Sequence, residues 1–402
     1  MQKFEKHSPV VVTEVTTKHE LRQFMQYPNR LYADNPNYIP SFYGDDLSDW
    51  TPGKNPAFDY CEARCWLARR DGEIVGRIGA ILSHKANDKF GTHRMRFSQV
   101  DFVDDSEVSA ALFGTVERWA REKGCDQVHG PLGFTDMDRE GMLVEGFDRR
   151  SLFFTNYNAP YYLEHLTRLG YRKDVDWIEY RITVPEPGGA EAERLHKLSE
   201  FILKRKHLHV ATVHHKSEYG PFVRQVFELV NAAYAPLYGV VELSDEQIER
   251  YANKFIPLVD PDFVCFVVDE QDQLVAFGVT ALDPSVALKH SDGRLFPFGW
   301  AGVLNDLHHS DTLIMLLTAV RPDLQTEGIN AVMMDHVCQS CNRHGVHFAE
   351  TGPMLELNDH ILAQWKRLEK EQHKRRRCWI KELQPAQTAG EPAPVGVGAA
   401  EE

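Results

Sequence analysis

Leu316-Leu317-Thr318-Ala319-Val320-Arg321-Pro322-Asp323-Leu324-Gln325-Thr326-Glu327-Gly328-Ile329-Asn330-Ala331 reads as the end of a strand, a turn and the start of a helix. The apolar run stops at Val320, Pro322 cannot donate to a strand ladder, and Gly328 lets another group approach the backbone closely. Consecutive N–H groups at such a helix start aim at one place and carry the positive end of the helix dipole. They hold a pyrophosphate without needing many cations. Val320, Gln325, Thr326, Gly328, Ile329 and Asn330 are the expected cofactor contacts. An ordinary strand-to-helix loop with a convenient glycine is the competing reading.

Working outward, a helix is expected over 327–344, with Ala331, Met334, Val337 and Cys338 at helical spacing and Gly345 as its stop. A strand over 346–351 follows and ends at Gly352-Pro353. The same order occurs earlier in the chain. A strand over 94–103 leads to a helix over 107–123, Gly124, a strand over 125–129 and the stop Gly130-Pro131. A hairpin precedes each set: 65–70 and 73–82 joined by Asp71-Gly72, then 263–269 and 274–282 joined through Gln271-Asp272. A helix and a Trp-Ile strand close each set, at 161–169 with Trp177-Ile178-Glu179 and at 359–370 with Trp379-Ile380-Lys381. So long an order is hard to obtain twice by chance. It predicts an α/β chain with an internal duplication.

The turn-rich Pro185-Glu186-Pro187-Gly188-Gly189 separates the copies. The expected domains are 1–184, a linker at 185–189, 190–386, and a disordered tail at 387–402 rich in Pro, Gly and Ala. The length of 402 residues agrees with two domains, and 43% hydrophobic residues supply a core for each. A net charge of −14 opposes nucleic-acid binding. Met1 to Val15 shows no secretory leader, and no apolar run reaches the roughly 20 residues of a membrane helix, so a cytoplasmic protein is expected. Seven scattered cysteines are not a disulfide framework. Cys338 and Cys341, with His336 and His344 nearby, lack the second ligand pair of a structural zinc site, so no metal is expected.

The quoted turn resembles the coenzyme A loop of the GCN5-related N-acetyltransferase (GNAT) superfamily. Asn330 stands where that pattern has a small residue, and Glu327 adds a negative charge. The corresponding turn in the first copy, Val103-Asp104-Asp105-Ser106-Glu107, has three acids and no glycine, so it would repel phosphates. A narrower set of segments includes Asp34-Asn35-Pro36-Asn37-Tyr38-Ile39-Pro40, Gly141-Met142-Leu143-Val144-Glu145-Gly146-Phe147-Asp148 and Tyr157-Asn158-Ala159-Pro160-Tyr161-Tyr162. Together they resemble the YghO-like group of tandem GNAT-fold proteins, which includes bacterial ceramide synthases. The resemblance implies two tandem GNAT-like domains with mixed central sheets flanked by helices. The first has a degenerate cofactor loop and the acceptor side; the second binds acyl-CoA. It implies transfer of a fatty acyl group from an acyl-CoA or acyl carrier protein donor to an amine such as a sphingoid base, with peripheral contact at the inner membrane compatible. A different small amine or aminoacyl acceptor, or a non-catalytic acyl-CoA sensor, remains open.

Acyl transfer needs a neutral amine, so a carboxylate near it can act as base. Glu350, at the end of the strand after the cofactor helix, is the first candidate. Glu145, between Val144 and Gly146, can line the acceptor side from the first domain. Asn158 is a further candidate, with capping of the helix near Tyr161 as the competing role. No general acid is assigned: Trp365 stands where a tyrosine is common in the superfamily. The basic run His373-Lys374-Arg375-Arg376-Arg377 is expected to be solvated rather than bound to phosphates, and Leu152-Phe153-Phe154 to be core.

Overall fold

The computed structural model describes residues 8–384. The expected tail at 387–402 lies outside the described residues, as does the beginning of the Met1–Val15 stretch. The chain opens with β1 (Val11–Glu14), α1 (Lys18–Leu31) and α2 (Tyr43–Asp49). The first copy follows as β2 (Cys61–Arg70), β3 (Glu73–Ser83), α3 (His84–Phe90), β4 (Arg94–Phe102), α4 (Ser106–Glu122), β5 (Gln127–Gly130), β6 (Met142–Glu145), α5 (Tyr161–Arg168) and β7 (Arg172–Thr183). Then come α6 (Ala190–Lys206), β8 (His209–Val210), α7 (Gly220–Tyr234) and α8 (Asp245–Phe255). The second copy is β9 (Val264–Val268), β10 (Leu274–Leu282), α9 (Ser285–His290), α10 (Gly299–His309), β11 (Thr312–Val320), α11 (Asn330–His344), β12 (Phe348–Glu350), β13 (Met354–Leu355), α12 (Asp359–Ala363) and β14 (Lys370–Glu382).

Local chemistry explains most of these boundaries. Asp71 and Gly72 both take positive φ, the requirement of a tight two-residue hairpin turn between β2 and β3. Asp105 caps α4 by accepting from the Glu107 amide at 2.8 Å, and Gly345 at φ 70 ends α11. Two expectations need correction. The helix expected from 327 begins at Asn330, because Gly328 sits at φ 81, outside helical space. The helix expected over 359–370 stops at Ala363, and Lys370 already pairs with Ile182: strand pairing across the molecule overrides the local helical spacing.

The strands form one fourteen-stranded sheet ordered β1-β2-β3-β4-β5-β14-β7-β12-β11-β10-β9-β8, with β6 on β14 and β13 on β7. Two parallel pairs, β4 with β5 and β11 with β12, mark equivalent places in the two copies. At the centre the closing strands trade places. β14, last of the described strands, pairs with β5 and β6 of the first copy, while β7 pairs with β12 and β13 of the second.

This exchange corrects the reading of the basic run. His373 to Arg377 are not a solvated turn; they form the middle of β14, opposite the acids of β7. Lys374 and Arg376 are fully buried. Lys374 Nζ lies 3.3 Å from Glu179 and 3.2 Å from Glu350, and Arg376 Nε donates to Glu179. Arg375 and Arg377 reach Asp176 at 3.2 and 2.8 Å. Removing one member of such a buried network leaves an unpaired charge, at a cost of about 3–5 kcal/mol.

Candidate active site

In each copy the parallel pair opens into a wedge. β11 runs from Thr312 to Val320 but pairs with β12 only at Thr312, Leu313 and Ile314. Beyond that point Gly352-Pro353 carries the chain away to β13, so β11 from Met315 onward has no strand neighbour on that side. On its other side, Val279 faces Leu317 and Thr280 faces Met315, which makes Leu316 the extra residue of a bulge. A bulge leaves its extra residue out of the ladder, so the backbone at Leu316 is unpaired at the apex of the wedge.

The loop after β11 has the geometry of an anion cradle. The amides of Thr326, Gly328, Ile329 and Asn330 donate to no acceptor among the described residues. At φ 81, a Cβ on Gly328 would stand 3.2 Å from Ile202 of α6. The charge of Glu327 is turned aside to Lys206 of α6 at 2.6 Å, and this pairing holds its carboxyl below the usual range. Gln325 donates to the Val320 carbonyl at 3.3 Å, which tightens the turn. Ile329 is buried under α11; Thr326 is exposed beside the cradle.

Three cavities meet at this wedge. One, about 360 Å³, is lined by Val320, Gln325 and Asn330 at the cradle. A second, about 180 Å³, lies under α11 among Met333, Met334, Val337, Ile361, Trp365 and Leu368. The third, about 240 Å³, lies on the opposite face of the sheet, against Val223, Val226 and Phe227 of α7 and Ala252 and Phe255 of α8. Tyr234 lines all three, and its hydroxyl donates to the Thr318 carbonyl on the open edge of β11 at 2.7 Å.

The third cavity has an unexpected wall. Asp136, Met137, Asp138 and Glu140 reach it from the first copy, on the connection between Pro131 and β6. Burial pushes Asp136 up to about 6 and raises Glu140 well above the usual carboxylate range; each is raised further by a neighbouring acid. Burial, with Asp49 adding to it, also pushes Asp138 to about 6, although the Phe134 and Thr135 amides donate to it. Asp136 and Glu140 form no ion pair with any described residue. The sequence held a signal for them: an acidic Asp-Met-Asp-Arg-Glu directly after the first Gly-Pro stop.

The three sequence candidates for catalysis lie elsewhere. Glu350 lines none of these cavities, although Ala349 and Thr351 do; its carboxylate is held by Lys374 at 3.2 Å, with His373 at 3.8 Å. Glu145 is more than half exposed and pairs with Arg375 at 3.3 Å. Its neighbour Gly146 admits another backbone: a Cβ there would stand 2.2 Å from the His373 carbonyl of β14. Asn158 does not cap α5, whose N-cap position is Pro160 without a side-chain bond. Its amide accepts from Leu143 N at 2.7 Å and donates to Leu143 O at 3.0 Å, which pins β6. Of Leu152-Phe153-Phe154, the first two are core as expected, while Phe154 forms part of the third cavity's wall.

The wedge of the first copy is filled. The Tyr162 ring stacks on Phe102 at 4.1 Å, and its hydroxyl accepts from the Phe102 amide and meets Tyr32 Oη, both at 2.8 Å. Small spaces of about 30 and 60 Å³ remain along that part of β4. In the turn at 103–107 the protein's own carboxylates take the anion's place. Asp105 and Glu107 clamp the buried Arg70, each at 2.6 Å, and Asp104 meets His165 at 3.0 Å.

One cluster has metal-ligating residue types: His129, Asp174 and Cys378. The Tyr238 hydroxyl sits among them, 3.0 Å from His129 Nδ1, 2.6 Å from Asp174 and 3.5 Å from Cys378. Burial, with Arg96 and Arg94 adding to it, brings His129 down to about 4, so the imidazole is neutral and the four side chains form a hydrogen-bonded knot where both copies meet.

The architecture is that of tandem GNAT-fold proteins. The tandem GNAT protein from the clavulanic acid biosynthesis pathway superposes with a TM-score of 0.53 at 14% identity, over 94% of this chain and 99% of that one. A GCN5-related N-acetyltransferase from Sphaerobacter thermophilus gives 0.50 at 13% identity, over 94% and 96%. No protein-family profile matches the chain. In sequence, the chain is 27% identical over 379 residues to Protein YghO of Escherichia coli, covering 93% of this chain and 95% of that protein. It is 28% identical over 300 residues to the bacterial ceramide synthase of Caulobacter vibrioides, covering 73% and 75%. The likeness expected from the motifs is therefore found in both sequence and fold.

Proposed function

We propose that the protein is an N-acyltransferase that moves a fatty acyl group from a coenzyme A thioester to a long-chain amine of the sphingoid-base type. One observation carries this reading: two apolar cavities on opposite faces of β11 meet at the apex of the wedge, beside an anion cradle. A small acetyl donor and a small amine would leave both cavities unfilled. The similarity to a protein named bacterial ceramide synthase supports the same acceptor class.

In this reading the free amides of Thr326, Gly328, Ile329 and Asn330 take the pyrophosphate. The extended thioester arm adds along the open edge of β11 from Val320 towards Leu316. The acyl chain enters the cavity under α11, and the amine's chain enters the cavity against α7 and α8. The unpaired backbone at Leu316 polarises the thioester carbonyl. Asp136 and Glu140 receive the ammonium group: as a carboxylate, either takes the proton that makes the amine nucleophilic. The nitrogen attacks the carbonyl carbon, the C–S bond breaks and the thiolate leaves, while the second nitrogen proton passes to solvent, from which the proton donor to the thiolate is restored. Tyr234, at the meeting point of the cavities, is placed to give that thiolate a proton. Glu350 acts at one remove, by holding Lys374 and the end of β12.

Radiolabelled palmitoyl-coenzyme A offered with sphinganine, a short alkylamine and an amino acid tests the proposal. Labelled amide with sphinganine alone is the expected result. Amide with only the small amines would reassign the acceptor, and donor binding without turnover on any amine would leave a sensor.

A further inference from the structure

The two copies differ in the connection between their second and third strands. In the first copy, residues 84–93 hold one short helix; in the second, residues 283–311 hold α9, α10 and the loop between them. This longer segment carries Val286, Phe296, Phe298, Trp300 and Leu304 on its outer side, and the two phenylalanines are each 81% exposed. Trp300 and Leu304 share a face of α10, and α9 meets α10 at Ala287 and Gly302, one residue from Val286. Its inner side is ordinary core: Ala287, Leu288 and Val303 pack with Ile314, Leu152 and Phe153. Phe154 and Leu316, walls of the amine cavity, pack against that cluster, so a single layer separates the outer patch from the cavity.

We infer that this patch inserts into the headgroup region of a lipid bilayer of neutral surface charge. The five side chains expose roughly 500 Å² of apolar surface, at the top of the range for a monomer's largest patch. A stable dimer needs roughly 800 Å² per partner, so a second copy of this chain is poorly matched to it. The formal charges between 285 and 310 cancel, Lys289 and Arg294 against Asp292 and Asp306, on a chain carrying −14 overall. Anionic lipid would repel the body of the protein, whereas a zwitterionic surface would not. Aromatic rings at an exposed loop tip, with a tryptophan beside them, suit the polar–apolar boundary of a bilayer. The inference extends the proposed function, since both chains of such substrates reside in bilayers, but docking can be measured without any turnover.

Trp300 reports on it directly. The other six tryptophans, at 50, 66, 119, 177, 365 and 379, are buried, so a change in emission on adding vesicles comes from the patch. Phosphatidylcholine vesicles should shift the emission to shorter wavelength and float the full-length protein in a density gradient. Phe296→Asp with Phe298→Asp should cut the floated fraction at least tenfold while leaving the melting temperature unchanged, since both rings are exposed. The inference is overturned by no flotation on phosphatidylcholine, by equal flotation of the double variant, or by a vesicle-free dimer that the double variant dissolves into monomers. Binding that needs phosphatidylglycerol and vanishes in salt also overturns it, in favour of electrostatic adsorption. If the protein floats but acylates no amine, the docking stands and the proposed activity falls.

Discussion

Between β4 and β5 the wedge is plugged by Tyr162 and the turn after β4 is capped by Asp105; between β11 and β12 the wedge is open and the turn offers free amides. Both copies have the same sheet geometry, so geometry alone does not make a site. What separates them is whether the chain's own side chains satisfy the donors and fill the space. Once filled, the first copy serves a different purpose: its loop after Gly130-Pro131 extends across the interface and contributes acids to the open copy's cavity. The exchange of β7 and β14 fixes that loop against the second copy, because β6 at the loop's end pairs with β14.

The sharpest way to break this contrast is at the cradle. Gly328→Asp places a side chain at positive φ, against Ile202, and a negative charge among the free amides. Calorimetry should show donor affinity weakened on the order of a hundredfold, about 2.7 kcal/mol. Asp104→Lys in the first copy should leave it unchanged. A reversed result would make the first copy the donor site.

The next largest effect belongs to the acids that cross between copies. Asp136→Asn with Glu140→Gln should lower kcat/KM for the amine on the order of a hundredfold, with donor affinity unaltered. The pH profile gives the sign. Folding raises Asp136 from the ordinary range to about 6, so the native protein favours its protonated form. Turnover that needs the carboxylate should fall as pH drops through about 6, and the Asn variant should lose that limb. The same shift means that the charge costs stability above pH 6. Asp136→Asn should therefore raise thermal stability at pH 8 by on the order of 1 kcal/mol, after discounting solvent in the cavity, and leave it unchanged at pH 4. Glu350→Gln should do the opposite: it removes one of two carboxylate partners of the buried Lys374 while Glu179 still pairs with it, so about 1–3 kcal/mol of stability should be lost at neutral pH.

How far these sites were legible in the sequence differs by residue. Val320 to Asn330 could be read because strand end, turn and helix start are local, and each residue's chemistry there is set by its neighbours in the chain. Duplication was legible for the same reason, since repeated punctuation needs no knowledge of packing. The surroundings of Glu350 were hidden: they depend on β14 crossing into the centre of the sheet to pair with β7, where even the nearest facing residues, Ile182 and Lys370, are 188 apart along the chain. The run from His373 to Arg377 offered a clue that composition alone did not use. Lys374 and Arg377 lie directly opposite Glu179 and Asp176, and matching a basic strand to an acidic strand would have predicted burial. Asp136 and Glu140 were visible as acids, but only the assembled interface reveals which cavity they face.

The smallest effect tests whether the first wedge is plugged for stability or as a closed remnant of a second donor site. Tyr162→Phe keeps the ring on Phe102 and removes the hydroxyl that accepts from the Phe102 amide and meets Tyr32. The amide, facing buried surroundings, loses its acceptor, and chemical denaturation should show a loss of about 1–2 kcal/mol with an unchanged m value. Donor stoichiometry should remain one per chain, because the Asp105 carboxylate still accepts from the Glu107 amide in the turn where phosphate would sit. A second donor equivalent in this variant would mean that the tyrosine alone closes the first copy, and the two wedges would then differ by one hydroxyl rather than by a division of labour.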